Sequence, residues 1–174
     1  VDAAFRVLQF YIGLDYEVNF DELHFENLTH MFSDAMFWYG GYATSRNMLS
    51  SSPTSSIYQY EFSYAGEHGF LPDFYGLDSY GVGHGDDLFY LFQPFADEER
   101  SLNDQDSSVA NRILKYWTNF ARFGDPTPPA SGLTTWTPLS NPNSLSYMNI
   151  GLDSRMEYSE DYRSRMKFWE SIRM

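Results

Sequence analysis

Cysteine is absent from the 174 residues. That one absence excludes disulfides, zinc–thiolate sites, iron–sulfur clusters and a cysteine nucleophile. Basic residues are scarce: 11 Lys and Arg against 24 Asp and Glu leave a formal net charge of −13. Affinity for a nucleic-acid backbone comes mainly from Lys and Arg, so a nucleic-acid partner is excluded. An anionic membrane surface is disfavoured for the same reason. No apolar run approaches the ~20 residues that a membrane-spanning helix needs. The chain opens Val1-Asp2-Ala3-Ala4, with neither an initiator Met nor a charged and then apolar leader, so its first residue reads equally as a cut end or as the edge of a recombinant fragment.

What the chain has in quantity is aromatic: Phe, Tyr and Trp make up 19% of it, within a hydrophobic fraction of 43%. That supplies a core and argues against wholesale disorder. At roughly 100–200 residues per domain, the length fits one domain or one large piece of one. Helical spacing dominates residues 3–49. Phe5, Leu8, Gln9 and Ile12 set one face, which Gly13 ends. Asn19 or Asp21 starts a second helix through Leu23 and Leu28. Between Met31 and Met48, the residues Phe32, Met36, Tyr39 and Ala43 share a face. Gly40-Gly41 weakens this helix unless another backbone packs closely there.

After a Ser/Pro cluster, Tyr58, Tyr60, Phe62 and Tyr64 alternate with Gln59, Glu61 and Ser63, the pattern of a β-strand over 56–64. Residues 65–84 carry five glycines and one proline, which reads as a long irregular loop, with Phe70, Phe74, Tyr75 and Tyr80 arguing that it is ordered. Loops of that length are usually functional or disordered, so chemistry is sought there first. The acidic run from Asp97-Glu98-Glu99 to Asp104 and Asp106 reads as a solvated surface turn. Ser107 or Ser108 then caps the clearest helix, with Val109, Ile113, Tyr116/Trp117 and Phe120 as its stripe and Gly124 and Pro126 as its stop. A Pro-rich loop follows over 125–143, then a short strand from Leu145 to Ile150. Ser159 caps a final helix with Glu160 and Asp161 in its first turn and Tyr162, Met166, Trp169 and Ile172 on one face. No internal repeat or second domain boundary emerges. The class is α/β, with few strands for its length.

Four histidines are present. His24 and His30, six apart, do not suit shared ligation from one helix face and read as surface or satisfied histidines. His68 lies on the loop and is open to either reading. His84 differs in context, in Gly81-Val82-Gly83-His84-Gly85-Asp86-Asp87-Leu88. Flanking glycines let other groups approach the ring, and imidazole is the side chain whose unperturbed pKa permits proton shuttling near neutrality. From spacing alone three readings stay open: general base, metal ligand or plain turn residue. The metal reading is the weakest, because no second His stands at ligand spacing.

That octapeptide resembles the histidine motif of the type-B carboxylesterase/cholinesterase family, most closely its invertebrate carboxylesterase and juvenile-hormone-esterase-like branch. Tyr116-Trp117-Thr118-Asn119-Phe120-Ala121-Arg122-Phe123-Gly124-Asp125-Pro126 resembles the family's helix with its Gly-Asp-Pro stop. Trp136-Thr137-Pro138 is similar to its following Trp-Pro segment, and Arg165-Met166-Lys167-Phe168-Trp169 to its closing helix. Together these signatures cover most of residues 30–170.

The resemblance implies the C-terminal part of an α/β-hydrolase fold, the last sheet strands plus packing helices, not a complete fold alone. Residues 1–174 are then a C-terminal segment of one catalytic domain. The family's triad runs Ser, acid, His in chain order. His84 takes the histidine position and hence the general base/acid role. The nucleophile elbow Gly-x-Ser-x-Gly does not occur here, so the nucleophile and the acid are expected upstream. The resemblance makes Asp87 a support for His84 from behind the site and Gly83, Gly85 and Asp86 pocket candidates. Some relatives carry an aromatic in place of Asp86.

Asn27-Leu28-Thr29 is an N-glycosylation sequon, compatible with a secreted or secretory-pathway protein. The expected partners are the upstream part of the same protein, held without disulfides, and a small-molecule ester. No cofactor and no metal are called for. The competing reading is a non-catalytic cholinesterase-like protein used for adhesion or ligand binding, since fold does not fix function.

Overall fold

The computed structural model describes residues 2–13, 22–76, 81–92, 101–141 and 145–172, the side chains of 22–24 excepted. The chain divides into two compact units: Val1–Ser55 with Asn141–Leu145 and Ser159–Met174, and Ser56–Ser140 with Ser146–Tyr158.

The first unit is helical. α1 (Ala3–Tyr11) starts where the Asp2 carboxylate accepts the Ala4 N–H and ends before Gly13, whose φ of +89° leaves the helical region. Its buried residue is Tyr11, while Phe5, Leu8 and Gln9 of the expected face are exposed and Ile12 is half-buried. α2 (Glu22–Ser33) and α3 (Tyr39–Ser51) form one continuous helix through a π-turn at Asp34–Trp38, where the Tyr39 N–H reaches back to the Asp34 carbonyl. The expected starts at Asn19 or Asp21 lie outside the described residues. The wide turn re-phases the helix. Tyr42, Leu49 and Asp34 are its buried residues, and Phe32 and Met36 face outward, against the expected stripe. Gly40 and Gly41 sit mid-helix with nothing within 4 Å of an added Cβ among the described residues, so no close backbone approach there explains them.

α7 (Glu160–Ile172) begins as expected, with Ser159 Oγ accepting the Tyr162 N–H, and buries Tyr162, Met166 and Trp169. At the centre of this unit lies a buried polar cluster. The Tyr11 hydroxyl donates to Asp34 Oδ2 at 2.6 Å and accepts from Trp169 Nε1 at 2.7 Å. Arg165 Nε lies 2.8 Å from the same Oδ2, an ion pair by distance, although that N–H is not aimed for a hydrogen bond. Burial is the larger effect on Asp34 and holds its pKa above the usual carboxylate value, against the opposing pull of Tyr11, Arg165 and His30.

The second unit is built on a three-stranded sheet in the order β1 (Tyr60–Phe62), β2 (Ser146–Ile150), β3 (Ser154–Tyr158). β1 runs parallel to β2 with Tyr60 opposite Met148, and β2 pairs antiparallel with β3 through a hairpin. β1 is shorter than the expected 56–64 run, yet its flanks still bond: Met148 N–H to the Gln59 carbonyl and Ser63 N–H to the Ile150 carbonyl. β3 was not foreseen.

α6 (Asp104–Phe123) lies against this sheet. Its N-cap is Asn103, not Ser107 or Ser108, with Asn103 Oδ1 accepting the Asp106 N–H at 2.8 Å. The expected stripe holds for Val109, Ile113 and Tyr116, all fully buried, while Phe120 is half exposed. Gly124 ends the helix at φ +67°. Tyr64, Tyr90, Trp136, Met148 and Ile150 complete the core. Arg112 ties α6 to the β2–β3 hairpin, donating to the Leu152 carbonyl at 2.7 Å and to Ser154 Oγ at 3.1 Å.

Candidate active site

The segment that follows β1 is not wholly irregular. Tyr64 lies two residues past the end of β1, and its buried hydroxyl donates to Asp106 Oδ1 at 2.8 Å. Asp106 is fully buried, which corrects its assignment to a solvated acidic turn; Asp97, Glu98 and Glu99 lie outside the described residues. Burial first, then Asp106, pushes the Tyr64 hydroxyl up to about 12, so it stays a donor at any ordinary pH. Gly66 follows at a point where a Cβ would collide with Asp106 Oδ1 and the Tyr90 hydroxyl. Only glycine fits there.

His68 contributes its carbonyl, which accepts the Tyr90 hydroxyl at 2.8 Å, and its Nδ1 lies 3.4 Å from Asp73 Oδ1. α4 (Phe70–Tyr75) then occupies the middle of the expected loop and ends at Gly76 in the left-handed region. Phe70, Phe74 and Tyr75 are exposed on it; Tyr80 lies outside the described residues.

The histidine turn closes next. Gly81 and Gly85 have φ of +85° and +87°, a region that favours glycine. The Asp86 N–H donates to the Gly83 carbonyl at 3.2 Å, and the Leu88 N–H to Gly85 at 3.0 Å. His84 stands exposed on this turn between Gly83 and Gly85. Asp86, a pocket candidate from sequence, is only 5% exposed, and its carboxylate is occupied: Oδ1 accepts the Phe70 N–H at 2.8 Å and Oδ2 the Gly83 N–H at 2.7 Å.

Asp87 opens α5 (Asp87–Leu91), and its Oδ2 accepts the Tyr60 hydroxyl at 3.0 Å. Burial, reinforced by Asp87, raises the Tyr60 pKa far above the ordinary tyrosine value. Tyr60 also lines an aromatic cleft of about 230 Å³ with Tyr58, Trp117, Phe120, Pro126 and Trp136. The structure therefore gathers Gly83, His84, Gly85, Asp86 and Asp87 into one turn and the start of one helix. Sequence reasoning passed over Tyr60, Tyr90, Asp106 and Gly66. Among the described residues no group of three or more His, Asp or Glu is placed to hold a metal ion.

With that geometry in hand, comparison with known proteins is decisive. The carboxylesterase family model matches residues 2–169. The chain belongs to the carboxylesterase family. Its similarity to juvenile hormone esterase of Tribolium castaneum is 32% identity over 108 residues, 59% of this chain and 18% of that protein. To bile salt-activated lipase of Mus musculus it is 36% over 121 residues, 67% of this chain and 19% of the lipase. To acetylcholinesterase 1 of Caenorhabditis briggsae it is 36% over 78 residues, 42% and 12%. The chain thus spans less than a fifth of the length of each of these relatives. Its helices and small mixed sheet are consistent with part of the family's α/β-hydrolase fold. Asn27, the sequon residue, is partly exposed on α2, and no described helix is long and apolar enough to cross a membrane.

Proposed function

We propose that the protein carrying this chain is a serine carboxylic-ester hydrolase and that His84 is its general base and acid. The observation that carries the reading is the family match over residues 2–169 together with an exposed histidine on a glycine-flanked, internally bonded turn. In this mechanism His84 takes the proton from the serine hydroxyl as the oxygen attacks the ester carbonyl. It then protonates the leaving alcohol, and later activates water to release the acid. No Gly-x-Ser-x-Gly elbow occurs in the 174 residues, so the nucleophile and the triad acid come from another part of the protein. Asp87 supports the site from the first turn of α5, with Tyr60 as its hydrogen-bond donor.

The test is His84→Gln in the intact protein, with ester turnover measured at saturating substrate. Loss of about 10³-fold or more is expected for a missing triad member. Because a general base works as neutral imidazole, wild-type kcat/KM is expected to fall as the pH is lowered from 8 to 5. Unchanged turnover in the variant, or a flat pH profile, refutes the assignment.

A secretory route belongs to the same proposal, supported by the partly exposed Asn27 of the sequon. A mobility step removed both by endoglycosidase and by Asn27→Gln is expected, and its absence in the secreted protein would count against it.

A further inference from the structure

The turn that carries His84 is chemically unsuited to hold anything still. Three of the five residues Gly81–Gly85 are glycine, the residue with the most conformational freedom to lose on folding. A general base nevertheless has to sit within a fraction of an ångström of its working position. Asp86 resolves the conflict. Its N–H donates to the Gly83 carbonyl while its Oδ2 accepts the Gly83 N–H, so two hydrogen bonds close a small ring around His84. Its remaining oxygen, Oδ1, accepts the Phe70 N–H, sixteen residues earlier in the chain.

That second anchor is itself fixed. The Tyr90 hydroxyl holds the His68 carbonyl, and an added Cβ on Gly69 would press within 3.1 Å of the Asp86 carboxylate. Both oxygens of a buried carboxylate thus accept backbone donors, an arrangement that holds the backbone in place.

We propose that Asp86 is a positioning residue for His84, acting through the backbone of the turn and its tether to the Phe70 N–H. The proposal rests on the reading of His84 as the general base. Phe70 offers a way to cut the tether without touching a charge. It is the first residue of α4, where proline is tolerated because that N–H is not needed by the helix. Gly69 before it is extended, at φ 172° and ψ 176°, as a residue preceding proline must be.

The experiment compares Phe70→Pro with Phe70→Ala in the intact esterase, so that the lost ring cancels and the lost N–H remains. Asp86→Asn and His84→Gln are measured beside them. Relative to Phe70→Ala, Phe70→Pro is expected to lower kcat roughly 10–100-fold with KM within about twofold, the pattern of a displaced catalytic group. Asp86→Asn, which keeps one acceptor and replaces the other by a donor, is expected to lower kcat in the same way. If Phe70→Pro fails to fold, the near-isosteric Asp86→Asn decides alone. Equal kcat for the two Phe70 variants and a wild-type Asp86→Asn, beside an inactive His84→Gln, overturns the positioning role and leaves the base assignment standing. An active His84→Gln overturns the base assignment itself.

Discussion

Replacing Tyr64 by Phe removes a single hydroxyl, and its cost can be worked from the surroundings of Asp106. That carboxylate is fully buried, and Tyr64 donates to its Oδ1 at 2.8 Å, while Oδ2 has no hydrogen-bond partner among the described residues. A hydrogen bond to a charged group contributes about 1.5–3 kcal/mol, and a buried charge stripped of its partner costs about 3–5 kcal/mol. The phenyl ring still fills the same space, so the packing contribution is kept and the loss sits near ~3 kcal/mol, about a hundredfold in an opening equilibrium.

The loss falls where β1 meets the segment carrying Gly66 and His68, so the assay is local: hydrogen exchange by mass spectrometry on the intact protein. Peptides spanning residues 62–70 and 104–110 are expected to exchange about 100-fold faster in Tyr64→Phe, with the helices of the first unit unchanged. A second substitution, Asp106→Leu, removes the stranded charge and should recover part of the protection in the Tyr64→Phe background. Wild-type exchange in both peptides of Tyr64→Phe would refute the reasoning, because Asp106 would then have no need of its donor.

In the first unit, Asp34→Ala leaves Arg165 and the Tyr11 hydroxyl without their shared partner. Arg165 keeps its ion pair with Asp161, so the unit is expected to lose about 1–3 kcal/mol, seen as faster exchange in α1 and α7 with the residues around His84 unaffected. The same carboxylate sets a pH dependence. Its folded pKa is raised, so its contribution is fully present below the unfolded value near 4 and is lost as pH rises through the folded value. Protection of α1 and α7 in the wild type should therefore decline from pH 4 upward by an increment that Asp34→Ala lacks; identical profiles would refute this.

How far the sequence spoke depended on what kind of information each element carries. α6 and α7 were legible because their stripes repeat at helical spacing and their ends are marked, by Gly124 in one case and Ser159 in the other. The Tyr58–Tyr64 alternation located β1, since period two has no other common cause. The stripe through Phe32 and Met36 misled because a π-turn adds a residue to one helical turn, and nothing local in Asp34–Trp38 announces that. β3 escaped because Ser154–Tyr158 has two charged residues among five and few β-forming ones.

At the site, the glycine-flanked His84 stood out by composition alone. The roles of Asp86 and Asp106 did not. Adjacent carboxylates look alike in a sequence, and what separates Asp86 from Asp87 is which donors the fold brings to each: two backbone N–H groups for one, a tyrosine hydroxyl for the other.

The aromatic cleft has an optical consequence. Trp136 lies with its ring centre 5.3 Å from Tyr116, 6.0 Å from Tyr58 and from Tyr60, and 6.2 Å from Trp117. At such range an excited tyrosine passes its energy to a neighbouring indole faster than it can emit, so light absorbed by these phenols leaves from Trp117 and Trp136. The Trp136 indole is buried and its Nε1 has no hydrogen-bond partner among the described residues, surroundings expected to shift its emission toward the blue. Anything that enters the cleft changes the surroundings of the emitter, and through Tyr60 the cleft adjoins the helix that follows His84. The protein carries its own dye beside its candidate site.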